Sequence, residues 1–235
     1  MEQAIRMING KTSLIGLIGQ PLSHSISPVM QNAALRAMGL NWRYLALPCE
    51  TKNLKKVLDG LEAISCKGLN VTIPHKKDVA EICTDLCPLA KRLKATNTLI
   101  PNNKGGWTGT NTDVKGFITP LLKENWVKKK AIVLGCGGSA RAVIAGLEEL
   151  KIAEIVVIAR NPKSLSKLLD DLNENSYLEK NSKHLTKLKG YEEKNKNILK
   201  ELNEADLIIN STPIGLESLK VTTNNLINPE MPLGT

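Results

Sequence analysis

The sequence predicts a two-domain α/β protein in which an N-terminal α/β substrate domain precedes a Rossmann-type nucleotide-binding domain. Two observations predict this fold class. Short apolar runs alternate with longer stretches of helical periodicity along the chain, which is the pattern of parallel α/β sheets. In the second half, a glycine-rich turn lies between an apolar run and a helical stretch, as in dinucleotide-binding units. We expect the substrate domain over 1–112, a hinge helix over 113–127 and the nucleotide-binding domain over 128–235.

The first domain is expected to contain three strands and two main helices. Apolar runs predict the strands at 14–19, 42–47 and 68–73. The first helix is expected to begin with Ser27 as its N-cap and Pro28 as its first helical residue, and to end at Gly39. Six apolar residues in it recur at helical spacing: Val29, Met30, Ala33, Ala34, Ala37 and Met38. A second amphipathic helix is predicted over 54–64.

The second domain is expected to repeat this alternation. Apolar runs predict strands at 130–134, 155–158 and 207–209. Helices are expected over 114–122, from the glycine turn to about Leu150, and over 162–169. The stretch 173–197 shows no periodicity, so we expect a loop-rich insertion with at most a short helix, in which His184 is exposed to solvent. With three strands only, this domain is expected to lack its C-terminal part.

Composition argues against several classes of function. The formal net charge is +9, but aromatic residues make up only 3% of the chain, too few for the base stacking that nucleic-acid binding uses. Much of the positive charge lies in the Lys/Asn-rich segment 180–200, which indicates a solvated surface. No apolar run approaches the roughly 18 residues of a membrane span. Because the N-terminus also lacks the layout of a signal peptide, we expect a cytoplasmic protein that does not bind membranes.

The cysteines do not indicate a metal site. There are five, an odd number without a pairing pattern. Cys83 and Cys87 are separated by three residues, but no second Cys or His pair is present to complete a zinc site. We expect no metal, and we interpret the cysteines as small buried thiols in a reducing compartment.

The glycine-rich turn predicts a dinucleotide site. Gly135 permits a tight turn after the strand, Gly137 lets backbone N–H groups approach a pyrophosphate, and Gly138 lies at the start of a helix whose dipole favours the anion. The spacing is G-x-G-G-x-x-R. The residues expected to bind the cofactor here are Gly135, Cys136, Gly137, Gly138, Ser139 and Ala140.

The end of the next strand favours NADP over NAD. An acidic residue about 20 positions after the glycines would accept the ribose 2′-hydroxyl of NAD. This chain has Arg160 and Asn161 at that place, with Lys163 just beyond. A guanidinium there suits the 2′-phosphate of NADP, although an ordinary surface arginine at a strand end would give the same pattern.

The first domain contains candidate substrate residues. Ser25 and Ser27 lie directly before a helix, where their hydroxyls and the N–H groups of the first turn can converge on a carboxylate; capping and loop polarity would also explain both serines. Lys76 follows a strand at its carboxyl end, where α/β folds place ligands. If Lys76 and Asp113 face each other across a cleft, they can share proton transfer.

Six segments resemble the motifs of shikimate dehydrogenases, in the same order. They are P-L-S-H-S-I-S-P at 21–28, N-V-T-I-P-H-K at 70–76, A-T-N-T at 95–98, N-T-D at 111–113, the glycine motif at 135–141, and N-S-T-P-I-G at 210–215. Together they extend over most of the chain. The resemblance implies a two-domain, NADP-dependent enzyme that reduces 3-dehydroshikimate to shikimate in the pathway to chorismate and the aromatic amino acids.

The resemblance also implies a role for each matched residue. Ser25 and Ser27 are expected to hold the substrate carboxylate. Hydroxyl groups of the substrate are assigned to Thr72, Asn97 and Asp113, the catalytic acid–base group to Lys76 positioned by Asp113, and a cofactor contact to Thr212. His24 and His75 are interpreted as walls of the cleft rather than proton donors.

The chain departs from the family pattern at three places. Ala159 stands where the family usually has asparagine, and the second basic residue of the NADP motif is Lys163, one position earlier than usual. The D-x-x-Y segment and the later helix with a substrate-binding glutamine have no counterpart before Thr235, so we expect a C-terminally truncated family member.

Three alternatives remain open at this point. A related enzyme that also oxidises quinate is one, although serine at both 25 and 27 favours shikimate. A methylenetetrahydrofolate dehydrogenase would need a Y-x-x-x-K motif, but the residue four positions after Tyr44 is Pro48. A catalytically weak nucleotide-binding fragment is the third, favoured by the truncation and opposed by the presence of Lys76 and Asp113. The partner is expected to be a small-molecule substrate, and a homodimer is left open.

Overall fold

A computed structural model describes residues 8–174 and 186–214. The chain divides into two compact units, Met1–Asn111 and Thr112–Thr235. Each unit is built on its own β-sheet with helices packed against it. The predicted two-domain α/β fold class is confirmed. No helix within the described ranges is long and apolar enough to cross a membrane.

The first unit contains a mixed six-stranded sheet with the order β2-β1-β3-β5-β6-β4. Its strands are β1 (Ser13–Gly19), β2 (Trp42–Pro48), β3 (Leu69–Val71), β4 (Asp85–Leu86), β5 (Thr98–Pro101) and β6 (Trp107–Thr110). Its helices are α1 (Ser27–Ala37), α2 (Leu54–Ala63), α3 (Lys76–Ile82) and α4 (Pro88–Leu93). β1 runs parallel to β2 and β3, whereas β5 runs antiparallel to β3 and β6. The start of β5 therefore lies beside the end of β3.

Apolar periodicity explains the best-predicted elements of this unit. Leu54, Leu58 and Leu61 recur on one face of α2, and all three are buried against the sheet in a core that includes Ile18 and Val71. The predicted strands β1 and β2 and the helix α2 are confirmed to within one or two residues. The elements α3, α4, β4, β5 and β6 were not predicted, because each is seven residues or shorter and none has a clear apolar repeat.

Helix α1 differs from its prediction in two ways. Ile26, not Ser27, is the N-cap, and Ser27 is the first helical residue. The N-cap therefore lies one position before the predicted one, and the Ser25 hydroxyl accepts the Ser27 N–H at 3.3 Å. Leu35 is the one buried residue of the helix, while Val29 and Met30 are 75% and 58% exposed. The apolar repeat thus predicted the helix correctly, but most of it faces away from the sheet.

The second unit contains a parallel four-stranded sheet with the order β10-β7-β8-β9. Its strands are β7 (Lys130–Leu134), β8 (Glu154–Ala159), β9 (Lys187–Glu192) and β10 (Leu207–Asn210). Its helices are α5 (Asp113–Ile118), α6 (Gly138–Glu149), α7 (Pro162–Glu174) and α8 (Ile198–Asn203). The predictions for β7, β8, β10 and α6 are confirmed. Helix α7 extends five residues beyond the predicted Leu169.

The loop-rich insertion expected over 173–197 contains a strand, so the prediction of only three strands in this unit is wrong. β9 pairs with β8 over six residues at the edge of the sheet. None of its residues is fully buried, so its sequence lacks the apolar signature of a central strand. Leu188 and Tyr191 nevertheless pack on the two opposite core clusters of the sheet, which fixes the strand. His184 and the segment after Ile214 lie outside the described residues.

A partly buried charge cluster stabilises the second sheet and α8. Lys130 Nζ lies 2.5 Å from Glu201 Oε2 and 2.8 Å from Glu204 Oε2, and the Tyr191 hydroxyl donates to Glu201 Oε1 at 3.0 Å. The hydrogen bond from Lys130 lowers the pKa of Glu201. Burial of Lys130 acts to lower its own pKa, but the hydrogen bonds to the two glutamates outweigh burial and raise it.

We predict that Glu201→Gln lowers the free energy of unfolding by about 1–3 kcal/mol at pH 7, because Lys130 loses its buried counter-charge. The folded state depresses the pKa of Glu201, so the stabilisation is present above the unfolded value of about 4.3 and is lost as the pH falls through the lower folded value. Urea unfolding of both proteins from pH 7 to pH 3 should show curves that converge in acid. Glu192→Gln, at an exposed position, is the matched control. A constant difference at all pH values would contradict the assignment.

Candidate active site

The candidate substrate residues of the first unit follow neighbouring strands at one edge of its sheet. A Cβ on Gly19, at the end of β1, would lie 2.9 Å from the carbonyl oxygen of Ile73 and would also collide with the Thr72 methyl group. The Gln20 N–H donates to the same Ile73 oxygen at 2.9 Å. Glycine at position 19 therefore allows the loop after β1 to contact the turn after β3.

Ser25 and Ser27 lie in the loop after β1 and at the start of α1, and both are half-buried. The hydroxyl of Ser25 accepts a main-chain N–H from Ser27, and the Ser25 N–H donates to the Leu22 carbonyl at 3.0 Å. The loop is thus folded back on itself. These hydrogen bonds fix the loop that carries the two serine hydroxyls next to the start of a helix. Hydroxyls and free N–H groups at a helix start are suited to binding a carboxylate.

A short turn that contains Thr72 and His75 connects β3 to α3, which begins at Lys76. The His75 N–H donates to the Thr72 carbonyl at 3.0 Å, which closes the turn. The imidazole of His75 is fully buried, and its Nε2 lies 2.7 Å from the Cys49 carbonyl oxygen, so Nε2 carries the proton. His75 is thus a structural tie between the ends of β2 and β3 rather than an exposed wall of a cleft. His24, by contrast, is exposed.

Lys76 and Asn97 are brought together through their main chains. Lys76 is the first residue of α3, and its carbonyl oxygen accepts the Thr96 N–H at 2.8 Å. The Asn97 carbonyl accepts the Val71 N–H at 2.7 Å, and the Asn97 N–H donates to Thr110 at 3.1 Å. Asn97 is only 8% exposed. Positions 72, 76 and 97, far apart in the sequence, therefore converge because β5 is antiparallel to β3.

Asp113 belongs to the second unit. It is the first residue of α5, which packs closely on α6: a Cβ on Gly146 would lie 2.7 Å from Ile118 and 2.8 Å from Phe117. The predicted pairing of Asp113 with Lys76 stays a prediction.

The glycine turn of the second unit has two contrasting positions. Gly135 has a φ of +104°, and a Cβ there would lie 2.9 Å from Ser211 Oγ and 3.0 Å from the Thr212 methyl group. Gly137, the N-cap of α6, faces open space, since no atom lies within 4 Å of a Cβ built on it. No side chain caps α6. Gly135 is thus required by protein packing, whereas Gly137 leaves room for an external group beside the helix start.

The loop after β10 completes this edge of the second sheet. The Ser211 hydroxyl donates to the Leu134 carbonyl at 2.6 Å, which joins the ends of β10 and β7. The hydroxyl and N–H of Thr212 both donate to Asn210 Oδ1, at 2.6 and 2.9 Å. Thr212 therefore lies next to Gly135. Both residues follow strands at the carboxyl edge of the sheet, which is where Rossmann-type folds bind their ligands.

The basic residues at the end of β8 line an open depression together with Asn161 and Pro162. Arg160 and Lys163 are both exposed there, and the lining contains no carboxylate. Asn161 has a structural role, because its Oδ1 accepts the Ser164 N–H at 3.0 Å and caps α7. The donors in this depression fit a phosphate group. Its lining offers no carboxylate to accept the ribose 2′-hydroxyl of NAD.

Arg141, the last residue of the glycine motif, is not at this surface. Its side chain is fully buried in α6, and its Nη2 lies 2.5 Å from Asp171 Oδ2 in α7. The motif arginine therefore ties together the helices that follow β7 and β8. This role is not visible in the sequence, because the partner of Arg141, Asp171, is thirty residues away.

Comparisons with known proteins agree with this arrangement. A family model described as the shikimate dehydrogenase substrate binding domain matches residues 17–99. A shikimate dehydrogenase (NADP+) of Prochlorococcus marinus strain MIT 9215 is 46% identical over 220 residues, which cover 94% of this chain and 73% of the relative. One from a Synechocystis strain is 42% identical, over 89% of this chain and 69% of that protein.

Solved structures are similar as well. A shikimate dehydrogenase in complex with NADP+ has 35% sequence identity and a TM-score of 0.77, and the match covers 96% of this chain and 75% of that one. A shikimate 5-dehydrogenase from Listeria monocytogenes, in complex with shikimate and NAD, has 28% identity and a TM-score of 0.75, with 97% and 79% of the two chains covered.

The buried Arg141–Asp171 pair yields a stability prediction. Arg141→Met should lower the free energy of unfolding by about 3–5 kcal/mol, because the Asp171 carboxylate is left buried without its cation. Combining it with Asp171→Leu should recover most of the loss, since an apolar pair of similar volume needs no counter-charge. Urea denaturation of the single and double variants measures both effects. Equal destabilisation in the single and double variants would show that packing, not charge pairing, dominates.

Proposed function

The chain belongs to the shikimate dehydrogenase family, and from this membership we propose how its residues carry out the family's reaction. That reaction is the NADP-dependent reduction of 3-dehydroshikimate to shikimate in aromatic amino acid biosynthesis. NADP is the cofactor and a small molecule is the substrate. The quinate-using and weakly catalytic alternatives are not favoured by the comparisons. The observation that carries the proposed roles is the convergence of Thr72, Lys76 and Asn97 beside the loop of Ser25 and Ser27 in one unit.

The residues of the second unit fit an NADP molecule. We assign the pyrophosphate to the glycine turn and the start of α6, where Gly137 leaves open space and the helix dipole favours an anion. Arg160 is assigned to the 2′-phosphate, which it can bind with two parallel charge-assisted hydrogen bonds, and Lys163 adds a point charge. Thr212 borders the same edge. When bound, the reduced cofactor supplies the hydride that the substrate carbonyl carbon accepts.

The residues of the first unit are assigned to the substrate. Ser25 and Ser27 hold its carboxylate at the start of α1, while Thr72 and Asn97 bind ring hydroxyls. Lys76 is the acid–base residue. As negative charge develops on the carbonyl oxygen at C3, the Lys76 ammonium stabilises it and donates a proton to that oxygen. In the reverse direction the Lys76 amine removes the proton from the C3 hydroxyl.

Two further expectations stay predictions. A homodimer is compatible with the exposed apolar residues of α1, such as Val29 and Met30, which are 75% and 58% exposed. A cytoplasmic location is expected of a biosynthetic enzyme with cysteines that lack a pairing pattern.

We predict that Lys76→Ala lowers kcat by about 10²–10⁴-fold, because the developing oxyanion loses its proton donor. The melting temperature and the affinity for NADP should stay close to those of the parent protein, since the substituted group acts on the substrate alone. Lys77→Ala, which removes the same charge one residue away, should retain most of the activity. Equal effects of the two substitutions on kcat would exclude Lys76 as the acid–base residue.

Arg160 should determine the preference for NADP over NAD. Arg160→Asp should reverse the ratio of kcat/KM for the two cofactors or lower it by at least about tenfold, because a carboxylate repels the 2′-phosphate and accepts the ribose hydroxyl. Lys167→Asp, on an exposed position of α7, makes the same change of charge and should leave the ratio near its original value. An unchanged ratio in Arg160→Asp would mean that the phosphate binds elsewhere.

A further inference from the structure

A continuous chain of side-chain hydrogen bonds crosses the first unit and ends at Asn97. It starts at the Tyr44 hydroxyl in β2, which lies 2.8 Å from Asn70 Oδ1. Asn70 Nδ2 lies 3.2 Å from Thr98 Oγ1, and Thr98 Oγ1 lies 2.9 Å from Asn97 Oδ1. We propose that Tyr44, Asn70 and Thr98 are positioning residues that fix the side-chain amide of Asn97 as a hydrogen-bond donor to the substrate.

The donors and acceptors along this chain of hydrogen bonds follow one direction. The Thr98 hydroxyl has one proton, and because it accepts from Asn70 Nδ2 it donates that proton to Asn97 Oδ1. With its oxygen committed to Thr98, Asn97 presents its NH₂ group as the donor to a ligand. The inference rests on the substrate role that we assigned to Asn97, and it specifies which atom of that side chain binds the hydroxyl.

Tyr44 determines this direction. Its side chain is 2% exposed, and burial raises the pKa of the phenol to about 12, so the hydroxyl keeps its proton throughout the physiological range. A reversed chain would leave that buried proton without an acceptor, which costs free energy. Asn70 Oδ1 must therefore face Tyr44, and Asn70 Nδ2 must face Thr98.

The backbone of Tyr44 is itself tied to the carboxylate-binding loop. Asn32 of α1 accepts the Tyr44 N–H at 2.9 Å and donates to the Tyr44 carbonyl at 2.8 Å. The same Asn32 amide nitrogen donates to the Pro28 carbonyl at 2.7 Å, directly after Ser27. Tyr44 thus connects both ends of the proposed substrate site. Hydrogen bonds link its main chain to the region of Ser27 and its hydroxyl to Asn97.

Thr98 offers the sharpest test, because valine removes its hydroxyl and preserves its shape in a strand. Thr98→Val should raise the KM for shikimate about three- to tenfold, the effect of losing one well-placed hydrogen bond, while the KM for NADP stays unchanged. Thr98→Ser retains the hydroxyl and should restore the KM for shikimate to near the parent value. Tyr44→Phe should act in the same direction as Thr98→Val. The double variant should be no worse than the more affected single variant, because both substitutions interrupt one chain.

A second measurement separates positioning from a loss of packing. Shikimate analogues that lack the hydroxyl at C4 or at C5 should reveal which hydroxyl Asn97 binds, through a loss of affinity in the parent protein. In Thr98→Val the loss of affinity caused by removing that hydroxyl should disappear, so that the analogue binds as well as shikimate. The loss of affinity caused by removing the other hydroxyl should stay as in the parent protein. A purely structural role of Thr98 would lower affinity for shikimate and both analogues equally.

The outcomes are distinguishable. If Asn97→Ala raises the KM for shikimate but Thr98→Val does not, the positioning chain is wrong and the role of Asn97 stands. If Asn97→Ala leaves that KM unchanged, the assigned role of Asn97 is wrong and the chain has nothing to position. Should Thr98→Val fail to fold, Tyr44→Phe decides, because phenylalanine fills the same buried space; a parent-like KM and a parent-like penalty for each analogue would then overturn the proposal.

Discussion

Both sheets depend on one packing constraint. A central strand ends at a glycine, and the loop that follows a neighbouring strand packs closely against that glycine. In the first unit Gly19 allows the turn after β3 to contact the loop after β1, and a side chain at that position would meet the Ile73 carbonyl. In the second unit Gly135 does the same for Ser211 and the loop after β10. Because the residues proposed to bind ligands lie in these loops, the proposed site in each unit depends on two strand ends that can touch.

The protein uses two kinds of buried polar contact for different purposes. Ion pairs such as Arg141–Asp171 and Lys130–Glu201 join helices and strands within the second unit, where loss of one partner leaves an uncompensated charge. The chain from Tyr44 to Asn97 consists instead of neutral hydroxyl and amide groups. Neutral groups set the direction of hydrogen bonds through their donor and acceptor atoms, and they add no charge to a site in which Lys76 is proposed to gain and lose a proton.

Local patterns predicted those elements whose buried residues follow a regular pattern along the sequence. The strands β7 and β1 were found because their apolar runs are too short for a helix and end at a glycine, and the helix α2 was found from its helical apolar repeat. The edge strand β9 was missed, since its six residues are all at least partly exposed and its stability comes from pairing with β8. The N-cap of α1 was misassigned because the hydroxyl of Ser27 matches the usual preference at that place, whereas the backbone makes Ile26 the N-cap and Ser27 the first helical residue.

The sequence by itself determined the two-domain class and NADP as the cofactor, and it predicted a dinucleotide site at Gly135–Gly138, because these depend on residues that are adjacent or follow one strand directly. Only the tertiary structure decided which residues support Asn97. The distances along the chain from Tyr44 to Asn70 and from Asn70 to Thr98 are 26 and 28 residues. Hydrogen bonds over such separations depend on strand order and register, and the antiparallel insertion of β5 beside β3 leaves no trace in local periodicity.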